Sequence, residues 1–516
     1  MSELARSTRQ KPEGGASGYR TSMVRFILNG TPVCSGEGAL REPHGSLLAW
    51  LRAAGLTGTK EGCAEGECGA CAVAMVRTDE RGVVRYESVN SCLVPLASVH
   101  GRSVLTVEGV ALPDGTLHPV QRALVERGGS QCGYCTPGFV ISLFCEYYRP
   151  ERTHYDPEAI SGNLCRCTGY RPIADVARAL PQPRADDPRL PLLAERAPDA
   201  QALQVSAREH RPNAAAPVEG DGDVRFLQPS ALPQLFAQWA ERPEAVLIAG
   251  GTDLMVEANQ RHRRWSTLIS LDALAELSRF ERTADELVIG AGVRLADIER
   301  RLVHEGLGEL PLLEQLMPLF SSRLIRNRAT LGGSLATASP IGDAAPVLLA
   351  LDAELLLRRG DGARRIALRD FFRGYRATLL ARQELIESIH IPLPAPPLQR
   401  FYKVSKRVLD DISTVAAAFA LELDDAQRVK RLRIAYGGIA ATPICASAAE
   451  ALALGRPWSA DTVAALLPAL AQLGTPQTDQ RGQAGYRRAL VGKLLEKFFF
   501  ETQPAHLQTT PQEVSP

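Results

Sequence analysis

Apolar and polar positions change rhythm several times along the 516 residues. Val24 to Leu28 is a β-rich apolar run that meets Asn29-Gly30, a pair suited to positive φ, so a hairpin is expected. Ser46 to Leu51 predicts a short helix, with Gly55 placed to end it. Gly58 to Cys71 has no apolar period but holds four glycines among acidic residues and cysteines, which predicts a loop. Val83 to Tyr86 predicts a strand leading to Cys92.

From about Val110 the period becomes helical. His118-Pro119-Val120-Gln121 opens one helix and Gly128-Gly129 closes it, Phe139 to Phe144 lies in a second, and Ile173 to Leu180 in a third. Pro181 to about Asp223 is rich in Pro, Ala, Arg and Asp without a sustained period, as in a linker. Strand and helix patterns resume at Val224 to Leu227, and Leu398 to Tyr402 begins a further α+β unit that includes Leu432 to Gly438. The chain thus divides into an extension (1–22), a small domain (23–108), a helical domain (109–182), a linker (183–222), two α+β domains (223–396 and 397–502) and a tail (503–516).

Composition narrows the class. A hydrophobic share of 45%, a charged share of 23% and a formal net charge of +1 describe a globular protein without the field that nucleic acid or an anionic membrane would need. No apolar run approaches the roughly 18 residues of a membrane-span candidate. The start lacks the apolar core of a secretory signal and reads as a disordered extension, with Met23 as a second possible start. Eleven cysteines without such a signal point to a reducing, cytoplasmic setting and against disulfides.

Eight of those cysteines fall into two quartets. Cys63, Cys68, Cys71 and Cys92 follow the C-x4-C-x2-C…C spacing of plant-type [2Fe–2S] ferredoxins. Zinc is the competing reading, but all-cysteine zinc sites usually show two knuckles rather than three ligands in one glycine-rich loop. Cys132, Cys135, Cys165 and Cys167 form C-x2-C and C-x-C, a pattern that alone also suits zinc; beside the first quartet, a second redox cluster in series makes better sense. Each of these two pairs is expected at the start of a helix, in a pseudo-symmetric bundle, where free N–H groups favour an anionic cluster. Cys34, Cys145 and Cys445 have no partner at ligand spacing and are expected to be small buried residues.

A second chemical region starts at Leu247-Ile248-Ala249-Gly250-Gly251-Thr252-Asp253-Leu254, where an apolar strand delivers two glycines and short polar side chains. Such a turn can wrap backbone around a pyrophosphate, although it lacks the G-x-G-x-x-G fingerprint, and a plain tight turn is the alternative. Thr330 to Thr337 repeats the Gly-Gly device and continues to Asp343, so the two loops could clamp one dinucleotide. Flavin is the sensible one, since one-electron clusters need a converter before a two-electron acceptor. The basic run Arg323 to Arg328 reads either as a solvated face or as phosphate neutralisation.

With both quartets and both Gly-Gly loops in place, the chain resembles the iron–sulfur and flavin subunits of bacterial xanthine dehydrogenases, within the molybdenum hydroxylase family. Gly58 to Cys63, Gln131 to Gly138 and Gly162 to Tyr170 are its most specific stretches, and the likeness covers roughly Met23 to Phe500. It implies an α+β multidomain fold: a β-grasp ferredoxin domain, a helical-bundle [2Fe–2S] domain, a two-lobed FAD domain of the vanillyl-alcohol-oxidase type and a C-terminal α+β domain.

It also implies that Leu247 to Leu254 wrap the flavin phosphates and that Thr330, Gly333, Ser334, Thr337 and Asp343 contact FAD, although Ser334 stands where several relatives have asparagine. Phe320 matches an aromatic residue against the isoalloxazine ring, and Ile386 and Lys403 match flavin-side positions. Tyr375, Asp410 and Asp411 are placed on the nicotinamide side; for the two aspartates a solvated turn is the alternative.

The implied activity is transfer of electrons from a molybdopterin cofactor on a large partner chain, through two [2Fe–2S] clusters, to FAD and NAD+, during conversion of xanthine to urate in purine catabolism. No residue of this chain reads as a molybdenum or purine site. A dimer of heterodimers is the implied assembly, without nucleic acid or membrane. A corresponding subunit acting on aldehydes, nicotinate-like heterocycles or carbon monoxide is the nearest alternative, and a non-catalytic electron carrier the other.

Overall fold

The computed structural model of the chain describes residues 24–35, 45–79, 81–112, 114–187, 189–190 and 225–503. The N-terminal extension, most of the expected linker and nearly all of the tail lie outside the described residues.

The first domain is a five-stranded mixed sheet with the strand order of a β-grasp. Arg25–Leu28 and Thr31–Cys34 form the expected hairpin, with Asn29 (φ 52°) and Gly30 (φ 84°) both left-handed at the turn. Leu47–Ala53 is the short helix, and the Ser46 hydroxyl accepts from the Ala49 amide at its N-terminus. Arg25–Leu28 pairs in parallel with Ser103–Leu105, which in turn pairs with Ala72–Thr78, the partner of Val84–Asn90.

That sheet is covered on both faces. Val73 and Met75 join the core beneath the Leu47–Ala53 helix, whereas Ala72, Ala74 and Tyr86 face the helical domain. Strand alternation therefore assigns each neighbour its own row of side chains. The helical domain packs Pro119–Glu126, Thr136–Tyr147 and Arg171–Ala179 around Phe139, Phe144, Tyr147 and Ile173. Asp187 and Arg189, inside the stretch expected as linker, still belong to this body: Tyr148 donates to Asp187 at 2.9 Å, and buried Arg189 donates to the carbonyls of Gly109 and Val110, both at 2.7 Å.

The flavin-type domain has two lobes. A three-stranded parallel sheet (Arg225–Leu227, Thr267–Ser270, Val246–Ile248) shares its core with the ferredoxin domain through Ile248, Met255 and Leu268. The other lobe is a five-stranded antiparallel sheet with Leu385–Pro392 between Glu354–Arg359 and Glu286–Gly290. In the C-terminal domain Val415–Leu423 divides its side chains: Val415, Ala417, Phe419 and Leu421 enter that domain's own core, while Ala416, Ala418 and Ala420 face the flavin lobe. Alanine on the second face permits close approach of the helix Ala344–Ala350. Among the described residues no helix is long and apolar enough to cross a membrane.

Two expectations fail locally. Thr136–Tyr147 does begin directly after Cys135, but the helix after Cys165 and Cys167 begins only at Arg171, behind Tyr170 in the left-handed region (φ 68°). The C-x-C pair is thus on a loop, and the bundle's symmetry breaks there. Of the three spare cysteines only Cys145 is buried; Cys34 is exposed on an edge strand and Cys445 is half-buried on a short strand.

Candidate functional site: two cysteine loops against two Gly-Gly loops

The cysteines of each quartet meet in twos. Cys71 and Cys92 place their sulfurs 3.3 Å apart, buried below the sheet. Cys63 and Cys68 share a side-chain hydrogen bond, and that bond is the main cause that draws the Cys63 thiol down to about 5 and pushes Cys68 up. Cys132 pairs with Cys167 at the surface, and Cys135 with Cys165 beneath them. Among the described residues, no three His, Cys, Asp or Glu side chains gather as they would around a single ion.

Backbone is shaped to leave sulfur room. A Cβ on Gly62 would lie 2.7 Å from the Cys68 sulfur. The Asn90 amide donates to the Gly66 carbonyl at 2.8 Å, tying the loop to the strand that delivers Cys92. At the second quartet the amide and hydroxyl of Thr168 lie 3.4 and 3.0 Å from the Cys165 sulfur. Burial raises the Cys165 thiol, but the Thr168 contacts together with the Cys167 amide and the Cys135 thiol outweigh it, and the net direction is down.

The two loops interlock. Leu164 donates its amide to the Cys68 carbonyl at 3.0 Å, and Asn163 donates its side chain to the Gly69 carbonyl at 3.1 Å. The Tyr134 hydroxyl donates to the Glu61 carbonyl. Gly138 comes so close that a Cβ there would stand 2.2 Å from the Gly69 oxygen.

The first quartet is equally close to the Gly-Gly region on its other side. Gly251, at φ +79°, holds its Cα beside the carbonyl of Leu93, the residue after Cys92; a Cβ would be 3.0 Å from that oxygen. Asn259, on the helix Leu254–Gln260, donates to the carbonyls of Ala64 and Cys92, both at 2.9 Å, and Gln260 donates to that of Cys63 at 2.5 Å. The spatial order is therefore second quartet, first quartet, Gly-Gly loop.

The segment Leu247 to Leu254 is a strand end, a turn and a helix start, with Ala249, Thr252, Asp253 and Leu254 half-buried. Gly250 has no space for a side chain, since a Cβ would reach 2.0 Å from the Arg328 carbonyl. Thr330 caps the helix Leu331–Thr337 by accepting from the Gly333 amide at 3.1 Å, and Gly333, Ser334 and Thr337 lie half-buried along it. Two glycine-rich turns, each leading from extended backbone into a helix, have the chemistry to meet a diphosphate through backbone N–H groups.

Other expected residues converge on Leu319–Ser321. Lys403 donates to the Leu319 carbonyl at 2.7 Å and pairs with buried Asp343 at 2.8 Å, whose other oxygen accepts from Ser413 at 2.5 Å. Phe320 is half-buried beside them, and Ser321 lies 3.4 Å from Asp410. Asp410 is buried, so it is not a solvated turn; burial foremost, then the neighbouring Glu67 charge, raises its carboxyl to about 6. Asp411 is half-exposed and accepts from the Arg407 and Ile412 amides. Ile386 is buried in the central strand, and Tyr375 is exposed at a hairpin tip whose Arg376 reaches Asp253 at 3.7 Å.

Four family models match the chain in tandem: a 2Fe-2S iron-sulfur cluster binding domain at 35–97, a [2Fe-2S] binding domain at 106–178, an FAD binding domain in molybdopterin dehydrogenase at 222–394, and a CO dehydrogenase flavoprotein C-terminal domain at 400–502. The chain is an iron–sulfur flavoprotein of the molybdenum hydroxylase family. Among relatives, xanthine dehydrogenase of Emericella nidulans is 33% identical over 93% of this chain and 38% of its own length. Aldehyde oxidase 2 of Cavia porcellus is 32% identical over 93% of this chain and 40% of its own. The chain thus spans about two fifths of these relatives. A chain of carbon monoxide dehydrogenase from Hydrogenophaga pseudoflava superposes with a TM-score of 0.50 and 27% identity, over 53% of this chain and 94% of that one.

For this family member the basic run Arg323 to Arg328 needs correction. It is not a solvated face. Arg326 is fully buried and pairs with Glu158 of the helical domain and, at 3.3 Å, with Glu299 of the flavin lobe, while its Nη1 donates to the Phe320 carbonyl at 3.2 Å. Arg323 pairs with Asp156, Asn327 donates to the Ser88 carbonyl at 2.9 Å, and buried Arg328 donates to the Gly250 carbonyl at 3.2 Å. One short segment thus ties the flavin lobe to both cysteine domains. Asn163, Asn259 and Gln260 were equally invisible in the sequence, because no spacing marks a side chain that binds a distant backbone.

Proposed function

We propose that the chain is the electron-transfer arm of a xanthine dehydrogenase. The single observation that carries this reading is the serial contact of second quartet, first quartet and Gly-Gly loop, each stage joined to the next by backbone carbonyls within hydrogen-bond reach. In this reading Cys132, Cys135, Cys165 and Cys167 hold one [2Fe–2S] cluster and Cys63, Cys68, Cys71 and Cys92 the other. Sulfurs meeting two by two suit a diiron cluster, in which each iron takes two thiolates. Leu247 to Leu254 and Thr330 to Thr337 hold FAD. When bound, the clusters pass single electrons, and FAD collects two and delivers a hydride to NAD+.

The protein's own part is placement and insulation. Asn163 and Leu164 fix the separation of the two cysteine loops, and Asn259 and Gln260 fix that of the first quartet and the flavin lobe. Burial of Cys71 and Cys92 keeps water from one side of the inner site and so tunes its potential. Lys403 and Asp343 hold the Leu319–Phe320 backbone against the flavin position, with Thr330, Gly333, Ser334 and Thr337 on the phosphate side and Ile386 beneath. Tyr375, Asp410 and Asp411 border the nicotinamide side.

A large molybdopterin-bearing partner would dock over the second quartet. Cys132 and Cys167 are exposed there, framed by Tyr134, Leu164 and Tyr170 at 49%, 38% and 40% exposure, an apolar rim suited to being covered. Fusion of both cluster modules with the flavin module in one chain, as aligned with xanthine dehydrogenases, favours xanthine over carbon monoxide. Coexpression with a molybdopterin-binding chain tests the reading: the complex should reduce NAD+ with xanthine and form urate without oxygen. Oxidation of aldehydes but not xanthine would replace xanthine dehydrogenase with a sister enzyme, and a chain without iron or flavin would end the proposal.

A further inference from the structure

The seam between the ferredoxin sheet and the flavin lobe is richer in positive than negative charge. Arg77 pairs with Asp297 at 2.6 Å and with Glu87 at 3.3 Å; Arg294 and Arg300 reach the same Glu87 at 3.3 and 3.1 Å, and Arg300 also reaches Asp297. Beside them Arg102 and Arg328 share Asp272 at 3.4 and 3.2 Å. Five guanidiniums thus meet three carboxylates, an excess of two positive charges. Burial and the facing Arg77 draw Arg294 down to about 9, as an uncompensated cluster should.

The excess lies directly behind the two Gly-Gly loops. Arg328 donates through Nε to the Gly250 carbonyl at 3.2 Å, and its own carbonyl is what leaves Gly250 without room for a side chain. Arg328 is only 3% exposed, yet its Nη2 has no partner among the described residues. Arg294 is bridged through its backbone to Thr330, the cap of the second loop. The cysteine loops, by contrast, receive neutral donors from Asn163, Leu164, Asn259 and Gln260.

Resting on the flavin reading above, we propose that this seam is a fixed counter-charge for the FAD diphosphate. Two of its cations, Arg77 and Arg102, are supplied by the ferredoxin domain. A diphosphate brings two negative charges to loops that carry no cation of their own and, in Asp253, one carboxylate. Arg328 is buried and the other four guanidiniums are at least three-quarters enclosed, so they act in large part through protein and salt screens them less than surface charges. The buried excess is costly while unbalanced and is relieved when the anion binds. Flavin affinity is thereby linked to docking of the ferredoxin domain, although no ferredoxin residue need touch the flavin.

The test is a charge cycle in the full chain, reading the FAD dissociation constant by flavin fluorescence, with iron content and cluster EPR spectra as the check on folding. Arg102→Gln should weaken FAD about tenfold, the scale of one charge at partly buried range. Arg102→Lys should bind as the wild type does. Asp272→Asn should bind FAD more tightly than wild type, and the double variant R102Q/D272N should return close to it. If Asp272→Asn also weakens binding, or the double variant is worse than either single one, the seam is interface packing only and the proposal falls. Failure of the wild-type chain to bind FAD at all would instead remove the flavin reading beneath it.

Discussion

The Leu164 amide and the Cys68 carbonyl are joined by a 3.0 Å hydrogen bond, so the residue before Cys165 is tied directly to a member of the other quartet. Asn163 repeats the tie at Gly69 and is itself buried. Asn163→Ala removes the second tie and should cost about 1 kcal/mol, the net worth of one hydrogen bond, since the Gly69 carbonyl keeps the Ala72 amide at 3.1 Å. Both clusters should still assemble, but the magnetic interaction between them in the EPR spectrum of the reduced protein should weaken. An unchanged splitting would show that Asn163 does not set the cluster separation.

Gly250 offers the sharpest separation of flavin from iron. A methyl group there meets the Arg328 backbone at 2.0 Å, and backbone cannot swing aside as a side chain can. Gly250→Ala should therefore displace the Leu247–Leu254 turn and lower FAD occupancy by about tenfold or more, the loss a misplaced binding loop produces. Iron content should stay at the wild-type level, as measured by flavin release and iron assay on the same sample. Equal loss of both would mean that the turn supports the ferredoxin domain rather than the flavin.

Much of this was legible beforehand, for physical reasons. Cysteine spacing, the Asn29-Gly30 turn and the doubled Gly-Gly segments are local constraints, so the chain order states them openly. What could not be read is where separate domains touch. The run Arg323–Arg328 looks like any basic surface until Glu158 and Glu299, far away in sequence, are folded against it. Asp410 looks like a turn residue until Ser321 and the Glu67 loop close over it. Such roles depend on partners that no local window contains.

Arg326 carries the junction of three elements. With Glu158 and Glu299 both directed at it, Arg326→Met would take the cation from Glu299 and leave Glu158 only the longer 3.8 Å pairing with Arg323. Loss of one member of such a group costs about 3–5 kcal/mol, which should appear as a clear fall in the thermal unfolding midpoint. Burial and Glu299 already raise the Glu158 carboxyl. Adding Glu158→Gln to R326M should therefore recover part of the loss. If the double variant is less stable than R326M alone, packing rather than charge dominates the junction.

Asp410 makes the stability depend on pH. Its carboxyl is raised from 3.8 to about 6, by burial first and then by Glu67, against the partial relief of Arg407, Ser321 and Lys403. One oxygen accepts from Ser321 at 3.4 Å, while the other is buried without a hydrogen-bond partner among the described residues. Because the folded chain holds this proton more tightly than the unfolded chain, stability falls as pH rises from about 4 to about 6 and then levels. The loss is on the order of 3 kcal/mol. Asp410→Asn keeps the shape without the charge and should remove that loss. Its unfolding midpoint should match the wild type near pH 4 and exceed it above pH 6, with the gap opening between them. A gap independent of pH would mean that Asp410 does not titrate in this range, and a variant less stable at neutral pH would show that its charge supports the fold.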